Sequence, residues 1–125
     1  MTTRVLLADD HDLFRQGVRA LLDAEPGIEV VCEARDGRDA VELARRCRPD
    51  VAVLDVAMPE LNGVDATRQI HAAHPELKVI GLSMHADSRF VTGMLKAGAC
   101  GYLLKDCASD ELATAIDTVM RNQVY

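Results

Sequence analysis

The fold is decided by the stretch VAVLDVAMPELNG, which spans residues 51–63. Four apolar residues run directly into the carboxylate of Asp55, and the chain then meets the turn residues Pro59 and Gly63. A short apolar run bounded by turn residues is typical of a fully buried strand. Open α/β sheets bind their ligands at the carboxyl ends of such strands. Asp55 is therefore the first candidate for a reactive group.

Strand and helix patterns alternate on both sides of this stretch. Short apolar runs predict five strands, at residues 5–8, 28–32, 51–54, 77–82 and 101–104. Each run is followed by apolar residues at helical spacing. Parallel strands need crossover connections, which are right-handed. The pattern predicts a doubly wound α/β domain of three layers, α/β/α, with a five-stranded parallel sheet in the flavodoxin-like order 2-1-3-4-5.

Capping residues and apolar spacing predict the ends and the buried faces of the helices. We expect Asp36 to cap the second helix, Asp87 or Ser88 the fourth, and Ser109 the fifth. Gly98 is expected to end the fourth helix. The first helix is expected to end at Pro26-Gly27, and its apolar positions are Leu13, Phe14, Val18, Leu21 and Leu22. The apolar face of the last helix is predicted to contain Leu112, Ile116, Val119 and Met120.

Composition and charge restrict the class of protein. A chain of 125 residues fits one domain, and 49% hydrophobic with 27% charged residues is typical of a soluble globular protein. A net charge of −6 argues against direct binding of nucleic acid, since Lys and Arg neutralise phosphate backbones. The first apolar run is too short for a signal peptide, and no stretch has transmembrane length. We therefore expect a cytoplasmic protein with no membrane partner.

Cysteine and histidine give weaker signals. The four cysteines have no zinc-ligand spacing, and we expect them to be reduced, with Cys32 and Cys100 acting as small hydrophobic residues. His71 and His74 are three residues apart on a predicted helix, but no third metal ligand is evident. His11 is expected at the rim of the strand ends as a polar loop residue without an assigned role.

Polar residues follow four of the predicted strands at the point where each strand ends. They are Asp9 and Asp10 after the first strand, Asp55 after the third, Ser83 after the fourth and Lys105 after the fifth. In the predicted strand order the first, third and fourth strands are neighbours. We therefore expect the carboxylates and the Ser83 hydroxyl to surround one shallow pocket, with Lys105 reaching in from the edge.

This set of residues predicts phosphoryl chemistry. Three carboxylates at close range repel one another unless a cation or a proton offsets their charge, and oxygen ligands of this kind suit Mg²⁺. A carboxylate can also act as a nucleophile and form an acyl phosphate. We expect Asp55 to attack phosphorus while Asp9 and Asp10 hold the metal. Lys105 and Ser83 are expected to contact the phosphoryl oxygens.

Each of these residues also has an ordinary explanation. A single Asp after a strand is commonly a turn former or a helix cap, and this holds for Asp9 or Asp10 taken alone. Lys105 alone would be a solvated surface residue, and Ser83 alone a loop residue. Their joint placement at four strand ends favours a site, because turn chemistry seldom supplies all of them together.

Taken together, these residues resemble the receiver domain of two-component response regulators over essentially the whole chain. The resemblance rests on Asp9-Asp10, on the pattern Leu54-Asp55-x-x-Met58-Pro59-x-x-x-Gly63, on Ser83 and on GYLLKD at residues 101–106. The segments ADDH at 8–11 and GYLLKD are most similar to the NarL/FixJ-type subgroup, whose proteins usually continue into a LuxR-type helix-turn-helix domain.

The resemblance implies a function and a set of site residues. It implies that Asp55 accepts a phosphoryl group from the phosphohistidine of a sensor histidine kinase. Mg²⁺, with Mn²⁺ able to substitute, would be bound by Asp9 or Asp10, by Asp55 and by the backbone carbonyl of Ala57. The resemblance further implies that Ser83 and Tyr102 move on phosphorylation and that the phosphorylated protein forms a homodimer.

The resemblance also implies a domain organisation. Residues 1–121 would form the receiver domain and residues 122–125 the start of a linker. The output domain would be absent from this chain, which we expect to be a truncated form rather than a stand-alone receiver. DNA would be bound only through that absent helix-turn-helix domain, which would regulate transcription.

Some positions depart from the commonest receiver pattern. Met84 follows Ser83 where many receivers have a very small residue, and it is expected to narrow access to the pocket. Asp106 follows Lys105 where many have Pro, so a cis bond is not expected there. Ala57 and His85 occupy positions that tune the lifetime of the phosphate in the family.

Two other functions remain open from the sequence. One is a stand-alone or degenerate receiver that acts as a protein-binding module. The other is a phosphatase with an aspartyl nucleophile, which needs a second carboxylate two residues after the first. That position is Ala57 here, so we expect a signalling protein rather than an enzyme.

Overall fold

Five strands and five helices alternate in the computed structural model, which describes residues 2–58, 61–84 and 88–125. The strands are β1 (Thr3–Ala8), β2 (Ile28–Ala34), β3 (Val51–Asp55), β4 (Lys78–Ser83) and β5 (Gly101–Leu104). The helices are α1 (Asp12–Asp23), α2 (Gly37–Cys47), α3 (Gly63–Ala73), α4 (Ser88–Ala97) and α5 (Ala108–Met120). A short 3₁₀ turn, Lys105–Cys107, joins β5 to α5. No helix in the described part of the chain is both long and apolar enough to cross a membrane.

The strands form one parallel sheet in the order β2-β1-β3-β4-β5, which confirms the predicted topology. Strand β3 is buried at every position, as expected for a central strand that is covered on both faces. Val53 packs into a cluster with α1 and α5, whereas Leu54 packs into a second cluster with α2, α3 and α4. Strand β3 therefore contributes side chains to both cores.

The strand register brings the polar strand ends together. Ala8 of β1 pairs with Leu54 of β3, so the next residue on each strand, Asp9 and Asp55, lies at the same edge of the sheet. Strand β4 pairs with β5 through Ser83 and Leu104, which places Ser83 next to the start of the 3₁₀ turn. The strand register alone thus brings these polar residues to one edge of the sheet.

The predicted helix ends are partly confirmed. Asp36 caps α2, since its side chain accepts a hydrogen bond of 2.8 Å from the Asp39 amide. Gly98 ends α4 with a φ of 119°, which glycine tolerates best. The expected cap at Ser109 is wrong, because the 3₁₀ turn runs directly into α5 and the helix begins at Ala108. Asp87 and the Ser88 side chain lie outside the described residues.

Helix α1 stops before Pro26-Gly27 as predicted, but its apolar face departs from the prediction. It ends at Asp23, before Pro26-Gly27. Val18 and Leu22 are buried, but Leu13 is 84% exposed and Leu21 is 46% exposed. The two exposed leucines are eight residues apart, and no element in the described part of the chain covers them. Met120 at the end of α5 is likewise partly exposed.

A buried arginine holds α1 against the strand ends. Arg15 donates hydrogen bonds to the backbone carbonyl of Asp9 at 2.6 Å, to Asp12 Oδ1 at 2.7 Å and to Glu33 Oε1 at 3.0 Å. Its side chain therefore links the end of β1, the start of α1 and strand β2. No sequence signal marks this residue, because an arginine among apolar helix positions is normally solvated.

The turn after β3 depends on a close approach between backbone segments. The Gly63 amide donates to the Val56 carbonyl at 3.0 Å, and a Cβ at Gly63 would lie 2.3 Å from the Asp55 carbonyl oxygen. Asn62 caps α3 by accepting from the Asp65 amide at 2.9 Å. The chain thus turns tightly behind Asp55, at a point where only glycine fits.

The last residue packs on the domain. The Tyr125 amide donates to the Cys100 carbonyl at 2.9 Å, and its hydroxyl donates to Glu111 Oε1 at 2.6 Å. Tyr125 also contacts the core cluster of α1 and α5. The predicted start of a linker at residue 122 stays a prediction.

We expect Gly63→Ala to lower the free energy of unfolding by about 3 kcal/mol, because the added methyl group overlaps the backbone of Asp55 and Val56. Gly17→Ala in α1 is the control, since nothing lies within 4 Å of its added Cβ. That change should stabilise the protein by about 0.5–1 kcal/mol. Urea denaturation measures both, and equal stability of the parent and Gly63→Ala would contradict the close approach.

We also expect Arg15→Met to cost about 3 kcal/mol of unfolding free energy, because it leaves the buried Asp9 carbonyl without this donor. Arg19→Met is the matched control, as Arg19 pairs with the same Glu33 but is half-exposed. Its loss should cost less than about 1 kcal/mol. Similar losses in the two variants, measured by urea denaturation, would show that Arg15 does not brace the strand ends.

Candidate functional site

The predicted site residues meet at the carboxyl edge of the sheet. Asp9 follows β1 and Asp55 ends β3, and both side chains are fully buried. Lys105 begins the 3₁₀ turn and is also buried, whereas Asp10 is exposed. The structure therefore brings Asp9, Asp10, Asp55 and Lys105 together as the sequence predicts.

Lys105 lies between the two buried carboxylates. Its Nζ is 2.9 Å from Asp9 Oδ2 and 3.2 Å from Asp55 Oδ2. The same ammonium group lies 4.8 Å from the centre of the Phe14 ring, which limits its contact with water on that side. One buried cation thus offsets part of the charge of two buried anions.

His11 also belongs to the pocket, although its sequence position predicts only a polar loop residue at the rim. Its Nδ1 lies 2.9 Å from Asp9 Oδ1, 3.3 Å from Asp10 Oδ1, 3.7 Å from Asp55 Oδ2 and 3.1 Å from Lys105 Nζ. Its backbone amide donates to Asp9 Oδ1 at 2.8 Å. The one sequence feature that points to a role for His11 is its position directly after Asp9-Asp10. An ordinary polar loop residue could occupy the same position.

The environment of Asp55 is costly for a charged group. Burial raises the pKa of its carboxyl group, while the Ala57 amide, which donates to Asp55 Oδ1 at 3.2 Å, lowers it. The neighbouring Asp9 carboxylate raises this pKa further and Lys105 opposes that effect, so the net direction is upward. The fold thus keeps Asp55 in a place where its negative charge is poorly compensated.

The donor set fits a divalent cation. Asp9, Asp10, His11 and Asp55 each offer one ligand atom, and these atoms lie within 4.8 Å of one another. The buried Asp9 Oδ2 has no hydrogen bond among the described residues, although Lys105 is its ion-pair partner. Carboxylate oxygens with room for water are the ligands that Mg²⁺ takes in proteins. Participation of the Ala57 carbonyl stays a prediction.

Ser83 and Tyr102 lie on the neighbouring strands β4 and β5. Ser83 is buried at the end of β4. Tyr102 of β5 lies beside Gly81, and its hydroxyl is buried without a hydrogen bond among the described residues. Their movement on phosphorylation stays a prediction. Met84 is exposed, and its expected effect on access to the pocket also stays a prediction. His85 lies outside the described residues.

The remaining cysteine and histidine residues form no second site in the part of the chain that the structure describes. All four cysteines are free. Burial, together with the nearby Cys47 thiol, raises the pKa of Cys32 to about 12, so Cys32 stays a neutral thiol at physiological pH. His71 and His74 take no part in the group of potential metal ligands.

The sequence matches a family model and curated relatives. The model describes the response regulator receiver domain and covers residues 5–117. The transcriptional regulatory protein DegU of Brevibacillus brevis is 45% identical over 122 residues, which are 98% of this chain and 52% of that protein. The response regulator UvrY of Escherichia coli strain K12 is 41% identical over 97% of this chain and 56% of its own length. The chain spans about half the length of these curated relatives.

Solved structures agree with the fold. A two-component response regulator of the LuxR family from Aurantimonas sp. SI85-9A1 has a TM-score of 0.94 and 35% identity, over 99% of this chain and 89% of that chain. The signal receiver domain of NarL from Mycobacterium tuberculosis has a TM-score of 0.93 and 35% identity, over 98% of both chains. With its acidic pocket at the sheet edge, this chain belongs to the response regulator receiver domain family.

Proposed function

We propose that this receiver domain is a phosphorylation-dependent signalling switch and that Asp55 is its phosphoacceptor. The observation that carries the proposal is the Asp55 carboxylate itself, which is buried at the end of β3 within 3.2 Å of the Lys105 ammonium group. A carboxylate kept in a costly position at a strand end is typical of a functional group rather than a structural one.

Phosphoryl transfer to Asp55 would be a simple displacement at phosphorus, in which one bond forms and one breaks. A carboxylate oxygen of Asp55 forms a bond to phosphorus while the nitrogen–phosphorus bond of a phosphohistidine donor breaks. The histidine nitrogen keeps the electron pair and takes up a proton. Lys105 is in position to pair with a phosphoryl oxygen, because its Nζ already contacts Asp55 Oδ2.

A divalent cation is part of the proposal. Asp9, Asp10 and Asp55, together with the Ala57 backbone carbonyl, would hold Mg²⁺, with Mn²⁺ able to substitute. When bound, the ion offsets negative charge on the carboxylates and on the phosphoryl oxygens. The buried Asp9 Oδ2, which has no hydrogen bond among the described residues, and the close spacing of the carboxylates support this assignment.

The phosphoryl signal would be passed on through Ser83 and Tyr102. Ser83 lies at the end of β4 and would donate its hydroxyl to the phosphoryl group. Tyr102 on β5 has a buried hydroxyl without a hydrogen bond among the described residues, and such a group gains from a change of position. These two residues would bias a two-state equilibrium of the β4–β5 face.

The partners we propose follow from the family. The donor would be a sensor histidine kinase in the cytoplasm, and the phosphorylated domain would form a homodimer. Residues 1–121 would form the receiver, and a following helix-turn-helix domain would bind DNA and regulate transcription. DegU supports this output, since it is named a transcriptional regulatory protein and is about twice as long as its match to this chain.

The proposal is stoichiometric signalling rather than turnover of an outside substrate. A phosphatase with an aspartyl nucleophile needs a second carboxylate two residues after the first, and Ala57 stands there. A degenerate receiver that only binds proteins would not need a lysine and three carboxylates in one pocket. The pocket therefore favours the switch over both alternatives.

We expect acetyl phosphate with Mg²⁺ to add one phosphoryl group to the protein, as measured by intact mass. Asp55→Asn should abolish the addition, because the amide is a poor nucleophile. The control is Asp117→Asn, which removes an exposed carboxylate on α5 and should react as the parent does. Labelling of Asp55→Asn, or no labelling of the parent with Mg²⁺, would contradict the proposal.

We further expect a pH-dependent stability difference between the parent and Asp55→Asn in EDTA. The pKa of Asp55 is raised in the folded state, so its stabilising contribution is lost as pH rises through that pKa. Asparagine does not ionise, so the variant should gain stability relative to the parent as the pH rises above about 4, the ordinary pKa of an aspartate. Asp9, Asp10, His11 and Lys105 face Asp55 and are the same in both proteins.

Urea denaturation at several pH values measures this difference. Asp117→Asn should differ from the parent by a smaller and flatter amount, because Asp117 is exposed. A constant difference between the parent and Asp55→Asn over this pH range would show that the folded protein does not raise the pKa of Asp55.

A further inference from the structure

We propose that His11 is a nitrogen ligand of the divalent cation site and that it shifts the preference of this site from Mg²⁺ toward transition-metal ions such as Co²⁺. The inference rests on the metal site of the proposed function, but it does not depend on phosphoryl transfer to Asp55.

The first support is the position of the imidazole ring. Its Nδ1 lies 2.9 Å from Asp9 Oδ1, 3.3 Å from Asp10 Oδ1 and 3.7 Å from Asp55 Oδ2. Adjacent ligand atoms on an octahedral ion with bonds near 2.1 Å are about 3 Å apart. The ring nitrogen and the carboxylate oxygens thus already have a spacing close to that of a shared ion.

The second support is a conflict in hydrogen bonding at Nδ1. This atom lies 2.9 Å from a carboxylate oxygen of Asp9 and 3.1 Å from the ammonium nitrogen of Lys105. A carboxylate only accepts and an ammonium group only donates, so one ring nitrogen cannot satisfy both. A cation that binds the lone pair of Nδ1 and Asp9 Oδ1 would remove this conflict.

The backbone holds the ring near the carboxylates. The His11 amide donates to Asp9 Oδ1 at 2.8 Å, and the His11 carbonyl accepts from the Arg15 amide at 2.9 Å in the first turn of α1. The ring itself is 56% exposed, so it can adjust to an ion without disturbing the core. His11 is therefore anchored by its main chain, while its half-exposed ring lies at the solvent edge of the pocket.

The chemistry of nitrogen donors gives the direction of the effect. Mg²⁺ prefers oxygen ligands and keeps several waters, whereas imidazole suits the later divalent transition metals. A site with three carboxylates alone would discriminate weakly among these ions. The addition of Nδ1 should strengthen Co²⁺ binding much more than Mg²⁺ binding.

The test measures metal binding to the unphosphorylated protein by calorimetry, with Co²⁺ and Mg²⁺ as the probes. His11→Ala should weaken Co²⁺ binding about ten- to a hundredfold, while Mg²⁺ binding changes much less. In the NMR spectrum of the Co²⁺ form, a strongly shifted ring N–H resonance should be present in the parent and absent from His11→Ala. His71→Ala removes an exposed histidine of α3 and should change neither quantity.

Other outcomes would overturn the inference. These are equal Co²⁺ affinity of the parent and His11→Ala, a gain in affinity for both ions in His11→Ala, or Co²⁺ binding that survives Asp9→Asn unchanged. A gain would mean that the ring competes with the ion instead of binding it. Because no phosphoryl donor is present, failure of Asp55 labelling would leave this result intact, and loss of the His11 effect would leave Asp55 labelling intact.

Discussion

The buried ion pair between Lys105 and the carboxylates of Asp9 and Asp55 is the interaction on which the pocket depends. Each buried charge loses its hydration, and only a close partner makes that loss tolerable. Here one ammonium group serves two carboxylates, at 2.9 Å and 3.2 Å. The negative charge of the pocket is therefore only partly balanced, and an additional cation would stabilise it.

The remaining structure positions these charges accurately. Parallel pairing of β1 with β3 sets Asp9 beside Asp55, and the close backbone approach at Gly63 fixes the turn behind Asp55. The exposed side of the pocket is different, since Asp10 and His11 lie at its solvent edge. A rigid interior and an accessible rim suit a site that must receive a group from another protein.

The order of the strands and the convergence of Asp9, Asp55 and Lys105 could be predicted from the sequence, because strand periodicity and parallel topology follow from local patterns. Arg15 and His11 could not. Their roles depend on the Asp9 carbonyl and carboxylates, which come close only after the chain has folded. The cap expected at Ser109 fails because the 3₁₀ turn Lys105–Cys107 runs directly into α5, which begins one residue earlier, at Ala108.

Arg15 has a consequence for how the domain opens. Its guanidinium joins the end of β1 and the start of α1 to Glu33 of strand β2, which is 18 residues away in sequence. Such contacts form and break with the global folding transition rather than by local fraying. Hydrogen exchange around Asp9 should therefore belong to the most cooperative unit of the protein. The buried half of the pocket then keeps its shape for as long as the sheet itself survives.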